Sequence, residues 1–242
     1  MLRPLLHAMQ FLTRIPLPIR SAASEQDIGR SLLFYPLVGL VLGGLLVAVW
    51  SLTENLSPLL RAALMLVAWV ILTGALHLDG LADSADAWLG GFGDRARTLA
   101  IMKDPYSGPA AVTVLILVLL VKFAALDSLL HDGRWIALLV APVLGRVVVL
   151  LLFLTTPYVR PGGLGDALAR HLPRRAAIAV VAATAFVVVA LLGWWSMKIL
   201  LIDLVLFLAL RQIMLRRIGG TTGDTAGALV EFIELATLLA MV

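Results

Sequence analysis

TGALHLDGLADSADAWLGG, residues 73–91, ends a long apolar run and gathers three aspartates in a chain that has few charges. Asp79, Asp83 and Asp86 stand at i, i+4 and i+7. At about 100° per residue they fall within roughly 60° of one another on a helix, so three carboxylates face one point. Carboxylates that close repel, and beside a membrane they are poorly solvated, so a cation between them is the natural complement. Mg²⁺ takes carboxylate oxygens and leaves positions for phosphate oxygens, which makes the stretch a metal-phosphate candidate. A solvated polar face after a membrane helix is the competing reading.

The surroundings of that stretch set the class. The chain has 242 residues, 61% hydrophobic and 14% charged, far more apolar than a soluble domain requires. It is expected to be an all-α, polytopic transmembrane helix bundle forming one domain over residues 1–242. Without cysteines, disulfides and thiolate metal sites are excluded. Arg3, Arg14, Arg20 and Arg30 interrupt the first 30 residues, so no cleavable signal peptide is expected. The net charge of +4 is spread between apolar segments, as topology determinants are, and does not point to nucleic acid.

Residues 1–30 read as an amphipathic or re-entrant lead-in, with Pro16 and Pro18 stopping any helix. About seven spans follow, at residues 31–52, 58–77, 110–130, 135–158, 176–197, 199–215 and 225–242. The first carries Gly39, Gly43 and Gly44 on an expected close-packing face. The aspartate helix either continues the second span or starts anew after Gly80. With a cytoplasmic amino terminus, fourteen Lys and Arg lie on one side and only Arg61, Arg134 and Lys198 on the other. Both acidic motifs and both glycine-rich loops then share the cytoplasmic face.

The second acidic motif is GDTAGALVEFIE, residues 223–234. Asp224, Glu231 and Glu234 fall within about 80° on one helix face. A carboxylate in an apolar helix costs about 2.5 to 3.5 kcal/mol at the bilayer centre, so a partner is required. That partner is either a metal centre shared with the first motif or an ion pair with Lys122 or Arg146. Asp203 is a candidate partner for Lys122 or Lys198. Arg97, Lys103, Asp104 and Arg160 lie in loops where backbone and side-chain donors can meet an anion. Arg146, isolated within a span, needs an anion too. Two carboxylate groups with metal and basic loops suit transfer on a pyrophosphate. His77 is expected to point away from the aspartates, and no zinc spacing, Walker loop, Rossmann fingerprint or nucleophile elbow is present.

Several motifs, taken in order, resemble the cobalamin synthase family, also called adenosylcobinamide-GDP ribazoletransferase. They are Phe11-Leu-Thr-Arg-Ile-Pro16, His77-Leu-Asp-Gly-Leu-Ala-Asp-Ser-Ala-Asp86, Ile101-Met-Lys-Asp104 with Ser107-Gly108, Ala141-Pro-x-x-Gly-Arg146, and Thr222-Gly-Asp-Thr-x-Gly-Ala-x-x-Glu231. The resemblance implies a Mg²⁺-dependent enzyme of the bacterial inner membrane with its active site on the cytoplasmic side. It would join adenosylcobinamide-GDP to α-ribazole or its 5′-phosphate and release GMP. On this chain Asp79, Asp83, Asp86 and Asp224 would ligate metal. Asp83, Asp224, Glu231 and Glu234 would be catalytic, and Arg97, Lys103, Asp104, Arg146 and Arg160 would bind substrate. Membrane lipid is the expected surrounding, and glycine packing permits a homo-oligomer. The bare aspartate pattern also fits CDP-alcohol phosphotransferases, intramembrane prenyltransferases and ion-coupled transporters, though the first have arginine where Asp83 stands and no internal repeat supports the last.

Overall fold

The structure is a computed structural model that describes residues 2–17, 24–162 and 164–242. Pro18 and Arg20, named above, lie outside the described residues, as does Gly163 of the glycine-rich loop that follows Arg160.

Twelve α-helices and one 3₁₀ turn are formed among the described residues, with no strand beyond a single parallel bridge between Tyr158 and Thr221. Helix α1 (Leu2–Leu12) buries Pro4, Ala8 and Leu12, a stripe of period four that makes the lead-in amphipathic as expected. Ser24 caps α2 (Glu25–Ser31), whose 3₁₀ turn leads into α3 (Tyr35–Leu52). Then come α4 (Pro58–Thr73), α5 (Leu76–Gly90), α6 (Arg95–Ile101), α7 (Pro109–His131), α8 (Ala137–Thr155), α9 (Leu164–Arg170), α10 (Arg174–Leu192), α11 (Trp195–Ile218) and α12 (Gly223–Met241). The apolar segments expected to span are mostly helical, the second broken at residues 74–75 and the fifth at 193–194.

Four units are long and apolar enough to cross a membrane: α2 with α3, then α7, α8 and α10. The pair α4 and α5 makes a fifth, bent by 88°. That bend corrects the expected course of the second span. The chain turns at Gly74 and Ala75, both left-handed at φ 63° and 58°, and not at Gly80. Glycine takes that conformation freely and alanine does so at a cost. The turn is held by the Arg14 amide, which donates to the Leu72 carbonyl at 2.9 Å, while the Arg14 side chain fills the space where a Gly74 Cβ would stand.

Helix α12 is the axle of the bundle, packed on α5, α7, α8 and α11, with α8 clamped in turn by α3 and α10. A Cβ on Gly39 would come within 2.9 Å of three α8 backbone atoms at Pro142 and Val143, and one on Gly43 would strike Leu138 and Leu139. Gly44, expected on the same face, has open space beside it. On the other side α5 and α12 cross at Gly80 and Gly227, where a Gly80 Cβ would stand 2.7 Å from the Asp224 carbonyl oxygen. Large apolar side chains such as Leu120, Phe186, Leu191 and Val205 cover the outward faces of α7, α10 and α11. This is a membrane protein.

Candidate active site at the α5–α12 crossing

The first turn of α12 is built by its loop. Thr222 and Thr225 form a reciprocal capping box, and the Thr221 amide and carbonyl bond Pro157 and Val159 of the α8–α9 loop at 2.9 and 3.0 Å. This bridge brings Arg160 alongside α12, where its Nη1 lies 2.9 Å from an Asp224 oxygen. Thr222 also contacts the sulfur of the buried Met102, tying down the loop that carries Lys103 and Asp104. Three segments distant in sequence therefore meet at the start of α12.

Asp83 is half-buried on α5 and feels the charges of Asp79, Asp224, Asp86 and Arg160. Asp79 is exposed and Asp224 half-buried, so water reaches this group from one side. Asp86 has another task. Its two oxygens accept from the Gly108 amide and, at 3.0 Å, from the Ala111 amide, which seats the amino terminus of α7 on α5. The expected metal ligand is thus engaged as a helix anchor.

The lower acidic pair is also engaged. Lys122 Nζ lies 3.1 Å from Glu231 and 2.6 Å from Glu234, and over the Trp69 ring at 4.3 Å. Arg146 pairs with the other oxygen of Glu234 and is fully buried. Two cations and two anions close on one another, so Glu231, Glu234 and Arg146 form an internal ion network, the ion-pair alternative left open by sequence. Its reach toward the aspartates is His77, whose Nδ1 is 3.5 Å from Arg146 Nη2. Asp203 bonds the Thr237 hydroxyl at 2.9 Å and neither of the lysines expected to partner it. Arg97 stacks on Phe92 at 5.1 Å, and Lys103 and Asp104 are exposed, all outside the walls of the cavity described next.

That cavity, of about 270 Å³, opens beside the crossing. Asp79, Asp224 and Arg160 border it together with buried apolar and aromatic side chains from α1, α3, α8 and α12. His77, expected to face away, lines it as well. So do Tyr35, Phe153 and Tyr158, which sequence reasoning passed over; only Tyr158, two residues before Arg160, carried a positional signal. Burial raises the Tyr158 phenol above its ordinary value, Arg160 opposing and Asp224 adding to the effect, so it stays protonated.

Among the described residues no three His, Asp or Glu side chains converge tightly enough to cage a metal alone. Mg²⁺ does not need that, since one or two carboxylates and substrate phosphates complete its shell. Asp79, Asp83 and Asp224 offer three such carboxylates around a single Arg160, enough for one or two to bind the ion, so the donor set fits.

A family model described as cobalamin-5-phosphate synthase matches residues 4–242. The adenosylcobinamide-GDP ribazoletransferase of Pseudomonas savastanoi pv. phaseolicola is 58% identical over 234 residues, covering 97% of this chain and 96% of that protein. The proteins of the same name from Stutzerimonas stutzeri and Pseudomonas fluorescens Pf0-1 are 58% and 54% identical over 240 and 241 residues, each covering 98% of this chain and 97% and 98% of their own length. No solved structure matches.

Proposed function

The chain belongs to the cobalamin-5-phosphate synthase family, and we propose from that premise that it transfers the adenosylcobinamide phosphate of adenosylcobinamide-GDP to α-ribazole or its 5′-phosphate, releasing GMP. The observation that carries this reading is the meeting of Asp79, Asp83, Asp224 and Arg160 beside a cavity, in a chain matched to ribazoletransferases along nearly its whole length.

An acceptor hydroxyl oxygen forms a bond to the phosphorus bearing cobinamide, the bond to the bridging oxygen breaks, and GMP leaves with that oxygen. Arg160 holds a phosphate oxygen, for which it exchanges part of its pairing with Asp224. Asp83 takes the hydroxyl proton. Asp79 and Asp224 would hold Mg²⁺, which when bound neutralises the charge gathering on the pyrophosphate oxygens. Lys103 and Arg97 steer the anionic donor toward the site from the neighbouring loop. The network of Lys122, Arg146, Glu231 and Glu234 keeps α7, α8 and α12 in register behind it.

For the membrane, the reading is seven crossings with a cytoplasmic amino terminus in the bacterial inner membrane and the site on the cytoplasmic side. The one-sided distribution of Lys and Arg supports it. Nothing in the comparisons favours the CDP-alcohol phosphotransferase, prenyltransferase or transporter alternatives.

The test is GMP release by the lipid-reconstituted protein given adenosylcobinamide-GDP, α-ribazole and Mg²⁺. Stoichiometric GMP and a corrinoid product are expected, with turnover lost on chelation and restored by Mg²⁺. Failure of the folded protein to release GMP would sink the assignment.

A further inference from the structure

The lining of the cavity beside the aspartates combines charged, more open side chains with buried aromatic ones. Asp224 and Arg160 keep 18% and 31% of their side-chain surface open, whereas Tyr35 and Phe153 are buried residues. Phe153 stacks on Tyr158 with ring centroids 5.9 Å apart, and Tyr35 packs against Phe11 at 6.5 Å. All four rings border the same space, alongside Val149. Tyr35, a buried residue, brings a phenol to the wall of this cavity. A phenol in the wall of a ligand-sized space can bond a polar atom supplied from outside.

A pyrophosphate needs the open, charged side chains. The buried aromatic ones suit the opposite kind of group, flat, apolar and carrying one or two hydrogen-bonding atoms. The two substrates differ in just this way. The donor brings phosphates and a corrin too large for about 270 Å³, while the acceptor brings a two-ring heterocycle on a ribose.

We propose that the cavity is the acceptor site, in which the planar heterocycle of the ribazole lies against Phe153 and Tyr158 with the Tyr35 hydroxyl bonded to a polar atom of the nucleoside. The ribose then projects between Asp79 and Asp224, where its hydroxyl meets the donor phosphorus. The inference rests on the transferase reading and extends it by naming which substrate fills the cavity. It also makes the depth of the cavity, bounded by Val149 on α8, the feature that sets how large a base the enzyme accepts.

The experiment measures KM for α-ribazole and for adenosylcobinamide-GDP separately, in the reconstituted protein, for Tyr35→Phe and Phe153→Ala. Equilibrium dialysis of α-ribazole without donor provides a readout independent of turnover, and Phe186→Ala on the outer face of α10 serves as control. Losing a base–aromatic contact is expected to raise the acceptor KM and the dialysis Kd of Phe153→Ala about tenfold or more, with donor KM within twofold of the parent. Tyr35→Phe, which removes one oxygen and leaves the ring in place, is expected to raise both acceptor constants severalfold. If donor KM rises and acceptor binding does not, the cavity holds part of the donor and the proposal is wrong. Unchanged constants in both variants would overturn it equally. If the parent binds α-ribazole in the cavity and never releases GMP, the acceptor site stands and the transferase reading falls.

Discussion

Asp83 and Glu234 are both carboxylates in a membrane protein, and the bundle sets them to different work. Asp83 has no ion-pair partner among the described residues and sits amid three other aspartates, whereas Glu234 is fully buried between Lys122 and Arg146. Asp83→Asn is therefore expected to lower GMP release by about 10²-fold or more with helix content and melting unchanged, as circular dichroism and a turnover assay would show. Glu234→Gln should act in reverse order. It strands a buried cation, and removing one partner of such a pair costs about 3–5 kcal/mol, so the melting temperature in detergent falls first. A Glu234→Gln protein that melts like the parent and has lost turnover would return this residue to the chemistry. Sequence offered both roles for Glu231 and Glu234, because spacing places them on a face without saying what lies opposite. Lys122 is 109 positions from Glu231, a pairing that periodicity within α12 does not encode.

Among the elements, the helical segments themselves were legible from runs of apolar residues and their breaks. The direction of α5 was not. Its bend depends on Ala75 adopting φ 58°, which alanine rarely does, enforced by Arg14 of the lead-in lying over Gly74. The anchoring contacts of Asp86 were hidden for a related reason: the amides that donate to it are 22 and 25 residues downstream and are backbone, invisible in a pattern of side chains. The glycines separate into those that carry crossings and those that do not. Gly39→Leu should drive α3 from α8 and lower the stability markedly, while Gly44→Leu should leave it within about 0.5 kcal/mol of the parent. Equal effects in thermal melts would mean that α3 packs on another face.

At the scale of the molecule, the absence of cysteine makes orientation directly readable. Single cysteines at Ser57, between α3 and α4, and Ser107, before α7, should label differently with a membrane-impermeant maleimide. In intact spheroplasts Ser57→Cys is expected to react and Ser107→Cys to react only after permeabilisation. The reverse pattern would place the aspartates outside the cell. The positive residues predicted this sidedness from sequence; which apolar helices cross fully was harder to read, since α11 carries Lys198, Asp203 and three arginines in one continuous 24-residue helix.

The crossing of α5 and α12 has a meaning for the way such a protein can change over time. Where Gly80 meets the Asp224 backbone, the separation of the two acidic helices is set by main chain against main chain. Side chains elsewhere in the bundle can be exchanged for others of different size, and the helices shift about that contact as about a pivot. The spacing between Asp79 and Asp224 is thereby insulated from drift in the lipid-facing and core positions, and sequence freedom over most of the membrane domain is compatible with an unvarying reaction at its centre.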